Sequence, residues 1–510
     1  MATSNEVSPS VRLHPRDNVV IARTDLSAGT AIAAERVSTA GRIPAGHKIA
    51  VTEIAAGAPV LRYGQVIGFA AGAIRAGAHV HEHNLLMGEL ELDYGVCRDA
   101  RETAYVDTPA TFRGYLRADG RAATRNYVAV ISSVNCSATA VHQVADAFRL
   151  SGELAEYPNV DGVVALAHGS GCGMAARGQG FEVLERVLAG YARQVNFGAV
   201  VLIGLGCEVM QLRTLLADAG LRRDARLATM TIQGVGGTRS TVERACARVR
   251  EMLPEVNRVE RQSLSASELC LALQCGGSDG YSGFTANPAL GAAVDRLVRH
   301  GGSAILSETP EIYGAQHLLT RRAVSPEVAR RLLERIRWWE DYTRLLGAEM
   351  NNNPSPGNKA GGITTIVEKS LGAVAKGGTT NLTAVHEYAE PISERGLVFM
   401  DSPGYDPVSA TGQVAAGANM LCFTTGRGSA FGCKPVPSIK LATNSRLYRH
   451  QAEDMDLDCG GIATGSETVD ACGERIFRKI LAVASGEKTA SETLGYGDHE
   501  LVPWQLGATM

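Results

Sequence analysis

The 510-residue chain lacks several features that mark other classes of protein. It has no apolar run of about 18 residues, so we expect no membrane-spanning helix. Its 50 basic and 53 acidic residues give a net charge of −3. Without a basic excess, neither nucleic acid nor a membrane surface is an expected partner. The first 16 residues are polar and have no apolar signal core, which predicts a cytoplasmic protein.

The 11 cysteines are scattered, and none lies in a Cys-x-x-Cys pair. In a reducing compartment such cysteines are thiols or metal ligands. The absence of paired spacing weighs against an assembled iron–sulfur cluster. The sequence also lacks a Walker loop, and residues 168–172 do not have the G-x-S-x-G order of a nucleophile elbow. Residues 234–238 lack the full order of a dinucleotide loop, so nucleotide binding and hydrolysis are both disfavoured.

Glycine, by contrast, is abundant, with 57 residues, and exceeds the usual share of about 7%. No Gly-X-Y period accounts for it, so we expect tight turns and close backbone approaches in a site built from loops. Glycine-rich segments occur at 275–280, 353–359 and 424–429. Backbone N–H groups in such loops bind carboxylates or phosphates. The pattern therefore predicts a small anion, held largely by the backbone, as the ligand.

Hydrophobic patterning predicts an α/β protein with two parts. Residues 12–90 contain short β-like runs separated by turn signals, which indicates a small β-rich domain. Residues 91–111 have the composition of a linker. Strand-like and helix-like stretches then alternate over 112–265 and again over 266–510, which predicts a larger α/β body with mainly parallel sheets.

Three cysteines follow three of the predicted parallel strands. Ligands bind beyond the carboxyl ends of such strands, so we expect Cys136, Cys172 and Cys207 to share one rim. Thiolates suit soft metals and iron–sulfur clusters. The alternative is the common role of free cysteine as a small buried hydrophobe.

The sharpest local pattern is the alternation of histidines in His79-Val80-His81-Glu82-His83-Asn84. In an extended strand, alternate side chains share one face. Three imidazoles on one face can bind a divalent transition metal. A polar strand edge with solvated histidines is the alternative.

Motifs along nearly the whole chain, in order, resemble those of the altronate/galactarate dehydratase family, with an N-terminal SAF domain. The most specific are Cys275-Gly276-Gly277-Ser278-Asp279, Asn353-Pro354-Ser355-Pro356-Gly357-Asn358-Lys359, and Gly77-Ala78-His79-Val80-His81-Glu82-His83-Asn84. The resemblance implies loss of water from a 2,3-dihydroxy sugar acid, an altronate- or galactarate-like aldonate or aldarate, to give a 2-keto-3-deoxy acid. It also implies a divalent metal, with Fe(II) preferred over Mn(II) and over an iron–sulfur cluster.

Two other functions stay open: a carbon–sulfur lyase like the sulfolactate sulfo-lyases, and a sugar-acid-binding protein without catalysis. The base rates of oligomers favour a homodimer.

Dehydration next to a carboxylate needs a stabilised enediolate-like transition state, a base near the α-hydrogen and an acid near the leaving hydroxyl. We predict a metal held between the small domain and the cysteine rim, with the ligands His79, His81, Cys136, Cys172 and Cys207. The predicted catalytic residues are His168, His83, Lys359 and Arg427. The predicted substrate-binding residues are Arg125, Asn126, Ser278, Asp279, Asn358, Gly426 and Gly428.

Overall fold

The structure, a computed structural model, describes residues 8–510, so residues 1–7 of the polar N-terminal segment lie outside it. The N-terminal part forms small antiparallel sheets of strand order β1-β2-β5-β8, β3-β4 and β6-β7-β9. Val20 and Ile49 are fully buried in its core. The strands are β1 (Ser10–Val11), β2 (Val19–Ala22), β3 (Ala31–Ile32), β4 (Val37–Ser38), β5 (Lys48–Ala50), β6 (Pro59–Arg62), β7 (Gln65–Ala70), β8 (His79–Val80) and β9 (Leu85–Leu86).

Residues 91–111, which we call the connecting segment, lie along the C-terminal part of the body. Its backbone N–H groups at Cys97 and Val106 donate to the carbonyls of Thr320 and Arg299, at 3.0 and 2.9 Å. It leads into an antiparallel sheet of order β11-β10-β16, which joins the two halves of the body. These strands are β10 (Thr111–Leu116), β11 (Ala122–Ala123) and β16 (Arg261–Ser265).

The middle part is a four-stranded parallel sheet of order β13-β12-β14-β15. Every residue of β12 and β14 is buried, which explains the continuous apolar runs in the sequence. Helices α1 and α5 cover one face, and α2 and α3 cover the other. The elements are β12 (Tyr127–Ser132), α1 (Ala138–Ser151), β13 (Gly162–Leu166), α2 (Gln179–Ala192), β14 (Phe197–Gly204), α3 (Leu212–Asp218), β15 (Leu227–Thr231), α4 (Ile232–Val235) and α5 (Thr238–Asn257).

The C-terminal part is a seven-stranded parallel sheet of order β19-β20-β18-β17-β21-β22-β23. The chain leaves the central strand β17 toward β18 on one side and later returns to β21 on the other. The carboxyl end of β17 is therefore a switch point, where open α/β sheets bind ligands. Its strands are β17 (Cys270–Cys275), β18 (Ser303–Leu306), β19 (Leu382–His386), β20 (Gly396–Met400), β21 (Met420–Thr425), β22 (Ser438–Ala442) and β23 (Leu457–Asp458).

Helices cover both faces of this sheet. They are α6 (Ala286–Arg299), α7 (His317–Thr320), α8 (Pro326–Leu345), α9 (Pro356–Ala360), α10 (Ile366–Val374), α11 (Asp406–Ala416), α12 (Ser445–His450), α13 (Gly461–Thr464), α14 (Val469–Ala484) and α15 (Ala490–Leu494). Across residues 8–510, no helix has both the length and the apolar character that a bilayer span requires. The predicted fold class, a small β-rich domain before a larger parallel α/β body, is confirmed.

The small domain is fixed to the body by three buried charges, which we call the interface cluster: Lys48, Arg62 and Glu368. Lys48 Nζ lies 2.9 Å from both carboxylate oxygens of Glu368, and Arg62 donates to the same carboxylate. All three side chains are at most 1% exposed. Beside them, a Cβ on Gly280 would clash with the carbonyl of Gly46, so the two backbones meet where a side chain has no room.

Candidate active site

Three histidines of the small domain come together where it meets the body. His79 lies on β8, and His47 directly precedes β5, which pairs with β8. His47 Nδ1 is 3.0 Å from His79 Nε2. One ring nitrogen each of His47, His79 and His81 lies within 4.8 Å of the other two. His47 is a ligand candidate that the sequence prediction missed, because its spacing of 32 residues from His79 carries no local signal.

Burial decides the protonation of these rings. Burial, together with nearby positive charge, lowers the pKa of His79 to about 3 and that of His81 to about 4. The rings are therefore neutral at pH 7, which is the form that binds metals. His81 Nδ1 is buried without a hydrogen-bond partner. Three neutral imidazoles on a half-buried surface fit a divalent transition metal that keeps open coordination positions.

His83 lies beside this group but outside it. Its side chain is exposed, and its ring centroid is 5.5 Å from that of His79. The strand β8 ends at Val80, so the alternation predicted for all three histidines holds only at its beginning. A catalytic role for His83 stays a prediction.

The short helix α9, which carries Lys359, closes the other side of the histidine group. His47 Nε2 lies 3.3 Å from the carbonyl oxygen of Ala360. Lys359 Nζ, half exposed, pairs with Glu82 at 2.6 Å. The fold thus brings a predicted catalytic lysine from the body to the histidines of the small domain.

Asn358 and Asp279, predicted to bind substrate, are both hydrogen-bonded within the protein. Asn358 Nδ2 donates to the carbonyl of Ser278 at 2.9 Å, and its Oδ1 accepts from the N–H of Ser355. The buried Asp279 carboxylate accepts from the hydroxyl of Thr443 at 3.1 Å, among other donors. These polar atoms are already bonded within the protein, and a direct contact of either side chain with substrate stays a prediction.

The glycine loop after β21 also differs from expectation. The N–H groups of Gly426 and Arg427 both donate to the carbonyl of Gly277, and that of Gly428 donates to Thr425 Oγ1 at 3.0 Å. These three amides are therefore not available to a substrate carboxylate. The Arg427 side chain is exposed at this loop. Its guanidinium, rather than the amides, is the group suited to bind a carboxylate.

Arg125 and Asn126 are structural rather than substrate-binding residues. Arg125 is buried and pairs with Glu492, with Nε 2.6 Å from the carboxylate. Asn126 is fully buried, and its Nδ2 donates to the carbonyls of Asn159 and Val256 at 2.7 and 2.9 Å. These two polar side chains therefore serve buried hydrogen bonds that join separate segments of the body.

The cysteine rim forms as predicted at the edge of the middle sheet, but it does not share a metal with the histidines. Cys136, Cys172 and Cys207 are exposed there, and none belongs to the histidine group. His168 is buried in the same rim, and its Nδ1 accepts from the N–H of Ser170 at 3.2 Å. The structure therefore does not bring the predicted histidine and cysteine ligands into one group, and a role for His168 stays a prediction.

A second group of buried ionisable side chains lies behind the carboxyl end of β17, and we call it the inner cluster. Lys376 Nζ is 2.9 Å from Cys275 Sγ and 3.5 Å from a carboxylate oxygen of Glu308. Lys369 Nζ is 2.8 Å from Glu311 Oε1. Its members are Cys275, Glu308, Glu311, Lys369, Lys376 and Asp406. Because two ammonium groups already supply positive charge, we interpret it as a charge cluster rather than a metal site.

Glu308 is the unusual member of the inner cluster. Its φ of +73° places a non-glycine residue in the left-handed region, a strained backbone that is concentrated at functional sites. Neither carboxylate oxygen has a hydrogen-bond partner. Burial raises the pKa of Glu308 well above its usual range, and burial also raises that of Asp406, to about 7. The cluster therefore retains a proton near neutral pH.

Comparison with known proteins agrees with this architecture. Residues 8–88 match the altronate/galactarate dehydratase SAF domain, and 114–257 match the second domain of D-galactarate dehydratase/altronate hydrolase. Residues 266–509 match the D-galactarate/altronate dehydratase C-terminal family. The chain belongs to the galactarate/altronate dehydratase family. The predicted family and the predicted class of enzyme, a hydro-lyase, are confirmed.

Two relatives of this dehydratase span nearly its whole length, and a third spans about three quarters of it. Galactarate dehydratase (L-threo-forming) of Escherichia coli K12 is 39% identical over 94% of this chain and 93% of its own length. Altronate dehydratase of Bacillus subtilis 168 is 33% identical over 98% and 99%. The (2R)-sulfolactate sulfo-lyase subunit beta of Chromohalobacter salexigens is 30% identical over 77% of this chain and 97% of its own length.

Proposed function

We propose that this chain removes water from a 2,3-dihydroxy sugar acid of the altronate or galactarate type and forms a 2-keto-3-deoxy acid. The observation that carries the proposal is the group of His47, His79 and His81 beside Lys359, in a chain whose long relatives are named galactarate and altronate dehydratases. The reaction breaks a C–H bond at C2 and a C–O bond at C3, and the resulting enol takes up a proton at C3 to become the ketone.

His47, His79 and His81 would hold a divalent ion, with Fe(II) preferred and Mn(II) as the alternative. Such an ion supplies Lewis-acid polarisation of oxygen ligands. Arg427 binds the substrate carboxylate through its exposed guanidinium, which suits bidentate recognition. Lys359 supplies positive charge next to the histidines, and its ion pair with Glu82 keeps the ammonium group at this position.

The inner cluster holds and moves a proton during this reaction. It adjoins the loops of the site, because Lys369 Nζ donates to Asn353 Oδ1 at 2.6 Å and Cys275 begins the loop that leads to Asp279. In the inner cluster two ammonium groups, of Lys369 and Lys376, lie near the three carboxyl groups of Glu308, Glu311 and Asp406. The carboxyl oxygens of Glu308 make no hydrogen bond within the protein, so its proton is not committed to a protein partner and can pass to a group that comes within hydrogen-bond reach.

The test is a panel of aldonates and aldarates, incubated anaerobically with and without Fe(II) and scored for 2-keto acid. We expect product from at least one sugar acid and a stimulation by Fe(II). His81→Ala should lose both turnover and bound iron while keeping its fold, whereas His450→Ala, an exposed histidine at the end of α12, should keep both. The absence of 2-keto acid from every substrate would contradict the proposal.

A carbon–sulfur lyase is the second candidate, because the sulfo-lyase beta subunit aligns over 77% of this chain. Including sulfolactate in the panel and measuring sulfite decides between the two. A protein that only binds sugar acids would release neither product. The homodimer and the cytoplasmic location also stay predictions, which light scattering and cell fractionation would test.

A further inference from the structure

The three cysteines of the rim differ from the other eight cysteines of the chain. Cys136, Cys172 and Cys207 are exposed, whereas the remaining cysteines are buried or half-buried. Each follows one of three adjacent parallel strands, β12, β13 and β14. A free cysteine is ordinarily among the most buried residues, so three exposed thiols at one sheet edge indicate a chemical role.

Backbone hydrogen bonds join the three loops into one surface. The N–H of Asn135 donates to the carbonyl of Ser170 at 3.0 Å, and that of Met210 donates to Gly171 at 3.1 Å. The first bond ties the loop of Cys136 to that of Cys172, and the second ties the loop of Cys172 to that of Cys207. The thiols are thus presented from one connected rim.

The three sulfur atoms are not all close enough together to hold a single tetrahedral ion. A tetrahedral ion with bonds of about 2.3 Å holds its thiolates roughly 4 Å apart, yet the three Sγ atoms do not all lie within 4.8 Å of one another. An iron–sulfur cluster is larger and spreads its thiolates further. We propose that Cys136, Cys172 and Cys207 together bind an iron–sulfur cluster, each thiol losing its proton on ligation.

Two neighbouring side chains support this assignment. Gln233 Nε2 lies 3.4 Å from Cys207 Sγ, and hydrogen bonds to sulfur tune such clusters. The rim loop also carries His168, which is 5% exposed and has an Nε2 without a hydrogen-bond partner. Three cysteines leave one iron of a four-iron cluster without a thiolate. Because His168 Nδ1 accepts from the N–H of Ser170, its Nε2 carries the ring proton and is suited to donate a hydrogen bond to the cluster rather than to ligate it.

The experiment is anaerobic reconstitution of the full chain with sulfide and equal amounts of ferrous and ferric iron, the composition of a [4Fe–4S]²⁺ core. After desalting, iron, acid-labile sulfide and visible absorption are measured without substrate. We expect about four sulfides per chain and absorption near roughly 400 nm. A chain without labile sulfide, or one that binds zinc alone, overturns the proposal.

Variants decide where the cluster lies. Cys136→Ser, Cys172→Ser and Cys207→Ser should each lose most of the sulfide, whereas Cys97→Ser, a half-buried cysteine of the connecting segment, should keep it. His79→Ala should also keep it, which separates this site from the proposed histidine site. If the triple cysteine variant kept the wild-type content of acid-labile sulfide, the proposal would be overturned, whatever the outcome of the dehydratase assays.

Discussion

The interface cluster and the inner cluster both bury several charges in the same protein, but they treat their carboxylates differently. In the interface cluster, Glu368 accepts hydrogen bonds from Lys48, Arg62 and Thr364. In the inner cluster, both oxygens of Glu308 lack a hydrogen-bond partner, and the backbone at Glu308 is strained. A buried carboxylate with all its hydrogen bonds is a structural device. One that lacks them costs stability and is retained for chemistry.

The largest expected effect is on catalysis, through Glu308→Gln. Because the amide cannot exchange a proton, we expect kcat to fall by about 10²–10⁴-fold. The free energy of unfolding should stay unchanged or rise, since a buried carboxylate without hydrogen bonds has been removed. Steady-state kinetics and urea denaturation measure the two quantities. Glu453→Gln, an exposed residue, is the control, and a Glu308→Gln enzyme with normal kcat would break the comparison.

The opposite result is expected for Glu368→Gln in the interface cluster. This change leaves Lys48 and Arg62 buried without an opposite charge, which costs about 3–5 kcal/mol of stability. Urea denaturation should show that loss in the free energy of unfolding. If the loss were below about 1 kcal/mol, the interface cluster would not be the structural device described here.

Acid pH should remove the same contribution in the wild-type protein. Burial alone would raise the pKa of Glu368, but the charges of Lys48 and Arg62 outweigh it and lower the pKa to about 2. Since the pKa of an unfolded Glu is higher, this stability is fully present above about pH 4.5 and declines as the pH falls toward 2. A shift of this size corresponds to about 3 kcal/mol.

The measurement compares the wild type with Glu368→Gln between pH 6 and pH 3. The difference in their unfolding free energies should shrink as the pH falls. A difference that stays constant over this range would show that the charge of Glu368 does not stabilise the fold.

The smallest effect is expected for Thr364→Val, which keeps the shape of the side chain. The hydroxyl of Thr364 donates to Glu368 Oε2 at 2.7 Å, while its backbone N–H donates to the same oxygen at 2.9 Å and remains. Loss of one hydrogen bond to a charged group costs about 1.5 kcal/mol. Urea denaturation should resolve this loss while kcat stays at the wild-type value. A large loss of kcat would contradict a purely structural role for the interface cluster.

Local patterns in the sequence were sufficient for the fold class and for part of the site. The strand-like stretches predicted within 112–265 include β12, β13 and β14, because strands inside a parallel sheet need apolar side chains throughout. Ordered motifs identified the family. The alternation of His79 and His81 marked two members of the histidine group, since a period of two is visible along the chain.

Partners distant in the sequence were decided only by the tertiary structure. Arg125 and Asn126 looked like substrate ligands until their buried partners were known. Nothing local marked His47 or Glu308, because proximity to His79 and burial without a hydrogen bond arise only when separate segments pack together. A sequence sets periodicity and residue chemistry locally, whereas desolvation and the pairing of polar atoms depend on the whole fold. Sequence alone therefore fixed the family and the class of reaction, and packing decided which polar residues support the structure and which remain free for chemistry.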